Sequence, residues 1–316
     1  MSVPAPVPDR EVAPRAAARV LAIVGPTATG KSALAAALAR TLGGQIVNAD
    51  AMQLYRGMDI GTAKPTAAER AAVPHHLLDI WELHHPGTAA DYQQRARACL
   101  DRLLAEGGVP ILVGGSGLYV RAAVDRLSFP GSDATLRSGL EAELADRGAP
   151  TLHARLAGLD PAAAAAILPS NGRRIVRALE VIELTGRPFT ATLPGYESVY
   201  DTVHVGLDCD AAELDARVAV RVEQMLANGL EAEVARLAGA GLREAPMARR
   251  ALGYQQLLGY LDGQGTLEEA HAETVRATRR FVRRQRSWFR RDPRVRWLDG
   301  SAPDLVDRAL RLLRGG

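Results

Sequence analysis

The sequence predicts an α/β protein, a parallel sheet flanked by helices and interrupted by a mostly helical insertion. Three observations carry that expectation. Short apolar runs bounded by glycine alternate with longer segments of helical period. A glycine-rich turn stands between the first such run and the first helical segment. From about residue 130 to 196 the strand-like runs stop and only helical patterning continues.

The elements follow in order. Residues 1–18 are rich in Pro and Ala and carry no apolar stretch suited to a secretory signal, so a disordered tail is expected. Residues 19–129 form the first part of the core. There Val20–Val24 is a β-type run, Lys31–Leu42 a helix and Gln45–Asn48 a second strand ending near Asp50. Ala90–Glu106 reads as a helix with Tyr92, Leu100, Leu103 and Leu104 as its apolar positions, and Gly107-Gly108 stops it. Val109–Val113 is a buried strand closed by Gly114-Gly115. In the insertion, 130–196, the helical signals are Leu136, Leu140 and Leu144, the alanine run 162–166, and Arg173–Thr185 with Ile175, Leu179 and Ile182. The second part of the core, 197–316, opens with a strand over Thr202–Leu207. Helices are expected over Glu213–Leu237, Met247–Leu261 and Leu267–Arg291, then a strand at Val295–Leu298 and a helix at Asp304–Leu313.

Composition narrows the class. Of 316 residues 47% are hydrophobic, and the net charge is only +3, which excludes global disorder. No apolar run approaches the ~20 residues of a membrane helix, so no membrane association is expected. Two distant cysteines, Cys99 and Cys209, exclude a disulfide framework and fit a reducing, cytoplasmic setting. The bases are almost all arginine; Lys31 and Lys64 are the two lysines. Residues 276–296 hold ten Arg and one acid, Asp292. Such a stripe points to a polyanion partner, with a solvated helix face as the plainer alternative.

Gly25-Pro26-Thr27-Ala28-Thr29-Gly30-Lys31-Ser32 matches G-x-x-x-x-G-K-[ST] without a gap. Glycines let the backbone curl until successive N–H groups converge on phosphate oxygens, and the following helix adds the positive end of its dipole. Lys31 supplies a point charge and Ser32 a hydroxyl for Mg²⁺. An ordinary NTPase also needs an acid at the end of a buried strand. After Val113 the chain instead reads Gly114-Gly115-Ser116, and the nearest strand-end acid is Asp50. A phosphate loop with a carboxylate beside it and no second metal acid points away from ATP hydrolysis, toward a loop that holds a leaving diphosphate.

Several blocks then fall into one pattern. The phosphate loop, Asn48–Pro65, Pro74–Leu77, Val113–Tyr119, Asn171–Glu180, Arg250–Gln255 and Thr278–Arg290 together resemble the tRNA dimethylallyltransferase, or isopentenyltransferase, family. The resemblance runs from about residue 20 to 300. It implies a P-loop NTPase-like core with a tRNA-contacting insertion and a Mg²⁺ requirement. The activity implied is transfer of a dimethylallyl group from dimethylallyl diphosphate to N6 of adenosine 37, beside the tRNA anticodon, giving N6-isopentenyladenosine and diphosphate.

The resemblance also suggests roles. The diphosphate falls to Gly25, Pro26, Thr27, Ala28, Thr29, Gly30, Lys31 and Ser32 with Arg217, or with Arg221 one helical turn further on. Asp50 is the base that takes the N6 proton, and Ser116 stands where the family usually has Thr. For tRNA the resemblance implies Asp50, Ala51, Met52 and Gln53; Ser116 and Arg137; Arg173, Arg174 and Arg177; Arg250, Gly253, Tyr254 and Gln255. The basic segment adds Arg283 and Arg284, and its aromatics Phe281, Trp288 and Phe289 are expected mainly to pack. Ala51 replaces a common Ser, and Gly172 a common Asp. The pairs His75-His76 and His84-His85 lack metal-site spacing and read as structural. A monomer is expected. Rival readings are a prenyltransferase of free adenine nucleotides, a small-molecule kinase and a non-catalytic RNA-binding switch.

Overall fold

Val20–Val24 (β1) is apolar at every position and buried at every position, which requires cover on both faces of its sheet. In the computed structural model, which describes residues 19–189 and 195–314, that cover is present. The expected tail at 1–18 lies outside the described residues. By internal packing the chain divides into a core, residues up to Asp125 and from Ser198 on, and a second unit, Arg126–Glu197.

In the core, β1 leads into α1 (Lys31–Leu42), β2 (Gln45–Asn48), α2 (Ala67–Ala72) and the two-residue β3 (His75–His76). There follow α3 (Ala89–Ala105), β4 (Pro110–Gly114) and α4 (Gly117–Val124). The sheet has six strands in the order β3-β2-β4-β1-β5-β6, where β5 is Thr202–Asp208 and β6 is Arg296–Asp299. Every pairing is parallel. Val24 pairs Gly114 and Gly206, and Asn48 pairs Val113, so β1, β2 and β4 end level with one another. The phosphate loop, Asp50 and Gly115-Ser116 therefore share the carboxyl edge, at the switch between β4 and β1 where open α/β sheets take ligands.

Leu34, Ala35, Leu38 and Ala39 of α1 form one core cluster with Leu21, Ile23, Ile111 and Val205 of the sheet and Ala309 of the last helix, α12 (Leu305–Arg314). The insertion comprises α5 (Ala134–Leu159), α6 (Pro161–Ala166) and α7 (Gly172–Thr185). Gly148 (φ 77), two residues before Pro150, breaks α5. Leu140, Leu152 and Leu156 of α5 bury against Ile175 and Leu179 of α7. A Cβ on Gly172 would meet the tip of the Leu144 side chain at 2.7 Å, which would have to move aside. Asn171 caps the helix, accepting from the Arg174 amide.

After β5 come α8 (Ala211–Ala227), α9 (Leu230–Gly239), α10 (Tyr254–Leu261) and α11 (Leu267–Phe289). Two expected helices need correction. The Glu213–Leu237 segment is broken at Gly229 (φ 94), where only glycine sits easily. In Met247–Leu261 a short 3-10 turn, Ala248–Arg250, precedes α10. Elements α2, α4 and β3 had no clear sequence signal.

Asp125, the last core residue before the insertion, and Ser198, the first after it, pair in an antiparallel bridge. Asp125 is fully buried, and the Arg294 guanidinium donates to its carboxylate at 2.7 Å and to the Ser198 hydroxyl at 2.7 Å. Arg121 closes the cluster on the other carboxylate oxygen. Among the described residues no helix is long and apolar enough to cross a membrane.

Candidate active site

The phosphate loop has the backbone that its sequence demands. Gly25 (φ 134) passes so close to β5 that a Cβ would meet the Leu207 carbonyl at 2.2 Å. Ala28 (φ 69) and Gly30 (φ 88) take left-handed conformations, the local geometry that turns successive amides inward. Gly30 begins α1 without any side-chain cap, which leaves the first-turn amides to an external acceptor. Inside the loop, the Thr29 hydroxyl and the Lys31 ammonium both donate to the Pro26 carbonyl, at 2.9 and 2.6 Å.

A cavity of about 210 Å³ opens beside this loop. Its lining includes Lys31, Ser32, Asp50, Gln53, Lys64 and Arg221. Asn48, 4% exposed, shapes the chain at Asp50. Its Oδ1 accepts from the Asp50 amide, and its Nδ2 donates to the carbonyls of Asp50 and Leu77. The Asp50 Oδ1 accepts from the Met52 amide, 2.9 Å, which fixes the carboxylate's rotamer. Among the described residues nothing donates to Oδ2. The Ser116 hydroxyl accepts from the Ala51 amide at 3.2 Å, tying the ends of β2 and β4 together. In sequence, Asn48 is marked only by its place at the start of the Asn48–Pro65 block.

Charge converges on this cavity. Burial pushes the Lys31 ammonium down to about 8, with Asp50 opposing the drop and Arg221 adding to it. Burial also lowers Arg221, against the pull of Asp50. Arg221 makes no ion pair or hydrogen bond among the described residues. Arg217 faces a neighbouring groove and is engaged, donating to Glu213 at 2.6 Å and to the Ser301 hydroxyl at 3.0 Å. Of the two candidates, Arg221 is the one that shares a cavity with Lys31 and Asp50.

A pH signature follows. Above about pH 8 the free protein should lose affinity for inorganic diphosphate relative to Lys31→Arg, which stays charged. The unliganded fold should gain stability over the same rise, because the unfolded chain keeps the lysine proton to higher pH than the folded one. Calorimetric titrations at pH 7 to 9.5 check this, and parallel profiles for the two proteins would remove Lys31 from the anion site.

Ser32 presents a hydroxyl oxygen to the cavity beside the phosphate loop, a donor that suits Mg²⁺. The described residues hold no cluster of three or more His, Cys, Asp or Glu. That donor set fits a Mg²⁺ completed by phosphate oxygens and water, as that ion prefers.

The chain matches the family model described as IPP transferase over residues 53–292. The chain belongs to the IPP transferase family. It is 63% identical over 299 residues to the tRNA dimethylallyltransferase of Salinispora arenicola, covering 95% of this chain and 87% of that one. It is 65% identical over 291 residues to the tRNA dimethylallyltransferase of Streptomyces coelicolor, covering 92% and 93%. Among solved structures, the tRNA isopentenylpyrophosphate transferase of Bacillus halodurans matches with a TM-score of 0.69 and 40% identity, covering 94% of this chain and 95% of that one. A eukaryotic dimethylallyltransferase acting on tRNA shares the fold, with a TM-score of 0.76 at 23% identity.

The other residues that the family pattern singled out fall in distinct settings. In the insertion, Arg173 and Arg174 lie exposed at the first turn of α7. Arg137 and Arg177 both pair with Glu180, which is fully buried. Burial opposes ionisation of Glu180, yet hydrogen bonds from Arg137, Arg177 and Ser132 hold its carboxyl down to about 2. These two arginines are thus built into the unit's own packing.

In the core, Tyr254, expected from the resemblance to contact tRNA, faces inward. It is fully buried, and its hydroxyl donates to Glu233. That same carboxylate accepts from the amides of Asp59, Ile60 and Gly61, so Tyr254 and Glu233 shape the loop leading to the cavity wall. Gly253 (φ 85) and Gln255 flank it at the start of α10, next to the exposed Arg250. Gln53 spends its amide nitrogen on the Thr62 and Ala63 carbonyls, and Met52 lies partly exposed nearby. Lys64 is buried between Asp59 and Asp79, where it donates to both. His75 and His76 form β3, their rings bonded to the Val73 carbonyl and to Gln45.

The basic helix α11 is less open than its composition suggests. Arg276 and Arg280 pair with Glu273, Arg279 and Arg283 with Asp215, and Arg286 and Arg290 with Asp208. Arg284 lies over the Phe281 ring. Phe289 is buried and Trp288 lies against Gly117, in line with the expectation of packing.

Proposed function

We propose that this protein transfers a dimethylallyl group from dimethylallyl diphosphate to N6 of adenosine 37 in tRNA, acting as a cytoplasmic monomer. The observation that carries this reading is one cavity that joins the phosphate loop, two desolvated cations and a strand-end carboxylate. The relatives named for this activity support it along nearly the whole chain.

The chemistry follows from those groups. The donor's C1–O bond breaks, and its electron pair leaves on the diphosphate. Phosphate-loop amides, Lys31 and Arg221 meet the charge that accumulates there, already in place before it forms. Ser32 would hold Mg²⁺, which when bound would neutralise phosphate oxygens. Adenine N6 attacks the allylic carbon that is left. Its lone pair is delocalised into the ring, so it needs its amine oriented and its proton taken. Asp50 does both through the carboxylate oxygen that nothing among the described residues engages. The base reaches the cavity by leaving the anticodon stack.

Exposed arginines serve the RNA phosphates: Arg173 and Arg174 in the insertion, Arg283 and Arg284 on α11. Neutralising Arg283 and Arg284 together should weaken tRNA binding and flatten its salt dependence by about one to two units of slope. Arg286 is tied to Asp208, so its substitution should instead lower the unfolding midpoint. An unchanged salt slope in the Arg283/Arg284 double variant would remove α11 as an RNA contact.

The function itself is tested by mass spectrometry. An anticodon stem-loop incubated with enzyme, donor and Mg²⁺ should gain one C5H8 unit on adenosine, and free AMP should gain none. RNA of unchanged mass would overturn the reading.

A further inference from the structure

Gln285 stands in the middle of the arginine stretch, yet it is only 5% exposed. It belongs to the buried face of α11, on the stripe Thr278, Val282, Gln285 and Phe289. A buried primary amide needs partners for both its ends. Gln285 finds them on two different strand-end loops. Its Oε1 accepts from the Thr27 amide of the phosphate loop at 2.9 Å, and its Nε2 donates to the Gly115 carbonyl at 2.9 Å. The fit is close, since a Cβ on Gly115 would meet Nε2 at 2.2 Å.

Gly115 precedes Ser116, whose hydroxyl holds the Ala51 amide next to Asp50. One short chain of contacts thus runs from the phosphate loop through Gln285 and the Gly115-Ser116 turn to the base. The helix that carries Gln285 is itself anchored at the same sheet edge, by Arg286 and Arg290 on Asp208 at the end of β5. Trp288 adds contact with Gly117.

We propose that Gln285, by bridging the Thr27 amide and the Gly115 carbonyl, is a positioning residue that sets the phosphate cradle in register with Asp50. It touches neither substrate and acts through the two loops. Its effect therefore belongs to the chemical step. A displaced cradle still binds an anion, but the reacting carbon then lies off line from N6, and small displacements of this kind are costly to rate. The inference rests on the proposed prenyl transfer.

The test compares Gln285→Met, which keeps length and loses both hydrogen bonds, with Gly115→Ala, which displaces the amide and leaves Gln285 in the chain. Each should slow single-turnover prenyl transfer about tenfold, with the dissociation constant for tRNA unchanged within about twofold. Because both act on one bridge, the double variant should be no slower than the worse single one. Transfer at the wild-type rate in either folded variant, or losses that simply multiply in the double variant, would overturn the proposal. Should Gln285→Met fail to fold, Gly115→Ala decides alone, with its thermal midpoint showing that it is folded. A wild-type enzyme that adds no C5H8 unit sinks the functional reading instead, so the two failures are told apart.

Discussion

Asp50→Asn should slow single-turnover prenyl transfer by at least about a hundredfold while leaving the fold and donor binding intact. The substitution is mild in every respect except basicity. An asparagine oxygen still accepts from the Met52 amide, so the turn after β2 survives. Asn48 goes on holding the backbone of residue 50 from both sides. What disappears is the free carboxylate oxygen, and with it the acceptor for the N6 proton. Rapid-quench measurement with labelled donor, together with a donor dissociation constant from titration, separates the two effects. Near-normal transfer would take Asp50 out of the chemistry, and a parallel loss of donor affinity would recast it as a metal ligand.

Arg221→Ala should lower kcat/KM for the donor about a hundredfold, and Arg217→Ala by less than about tenfold. A desolvated guanidinium that no described residue pairs is expensive to maintain, and an anionic ligand in the same cavity offsets that cost. Arg217 spends its guanidinium on Glu213 and Ser301 and needs no ligand to satisfy it. Removing the Arg221 charge should also raise the Lys31 pKa, because Arg221 is one of the causes of its depression. The alkaline loss of diphosphate affinity should then move to higher pH in Arg221→Ala. Equal losses in the two variants would mean that both arginines reach the donor.

The strands at 20–24, 45–48 and 202–207 were legible because apolar runs bounded by turns leave the chain few other choices. The phosphate loop was legible because its chemistry demands fixed spacing. What sequence did not carry was decided by partners. His75-His76 is polar and two residues long, and it becomes a strand only because Ile46 and Val47 lie beside it. The apolar period runs on through Asn228-Gly229, so the break between α8 and α9 could not be read from it; the positive φ of Gly229 decides it. Tyr254 and Gln285 could have faced solvent or core equally well by residue type, and tertiary burial settled both. The choice between Arg217 and Arg221 depended on where Glu213 and Ser301 lie, and Ser301 is far away in the chain.

The Asp125–Ser198 bridge makes the two crossings between core and insertion a single seam, buttoned by Arg294. Topologically, residues 126–197 are then one long excursion from adjacent stitches. All six strands and every pairing between them lie outside that excursion. Both ends of the excursion leave the six-stranded frame at one point of its edge.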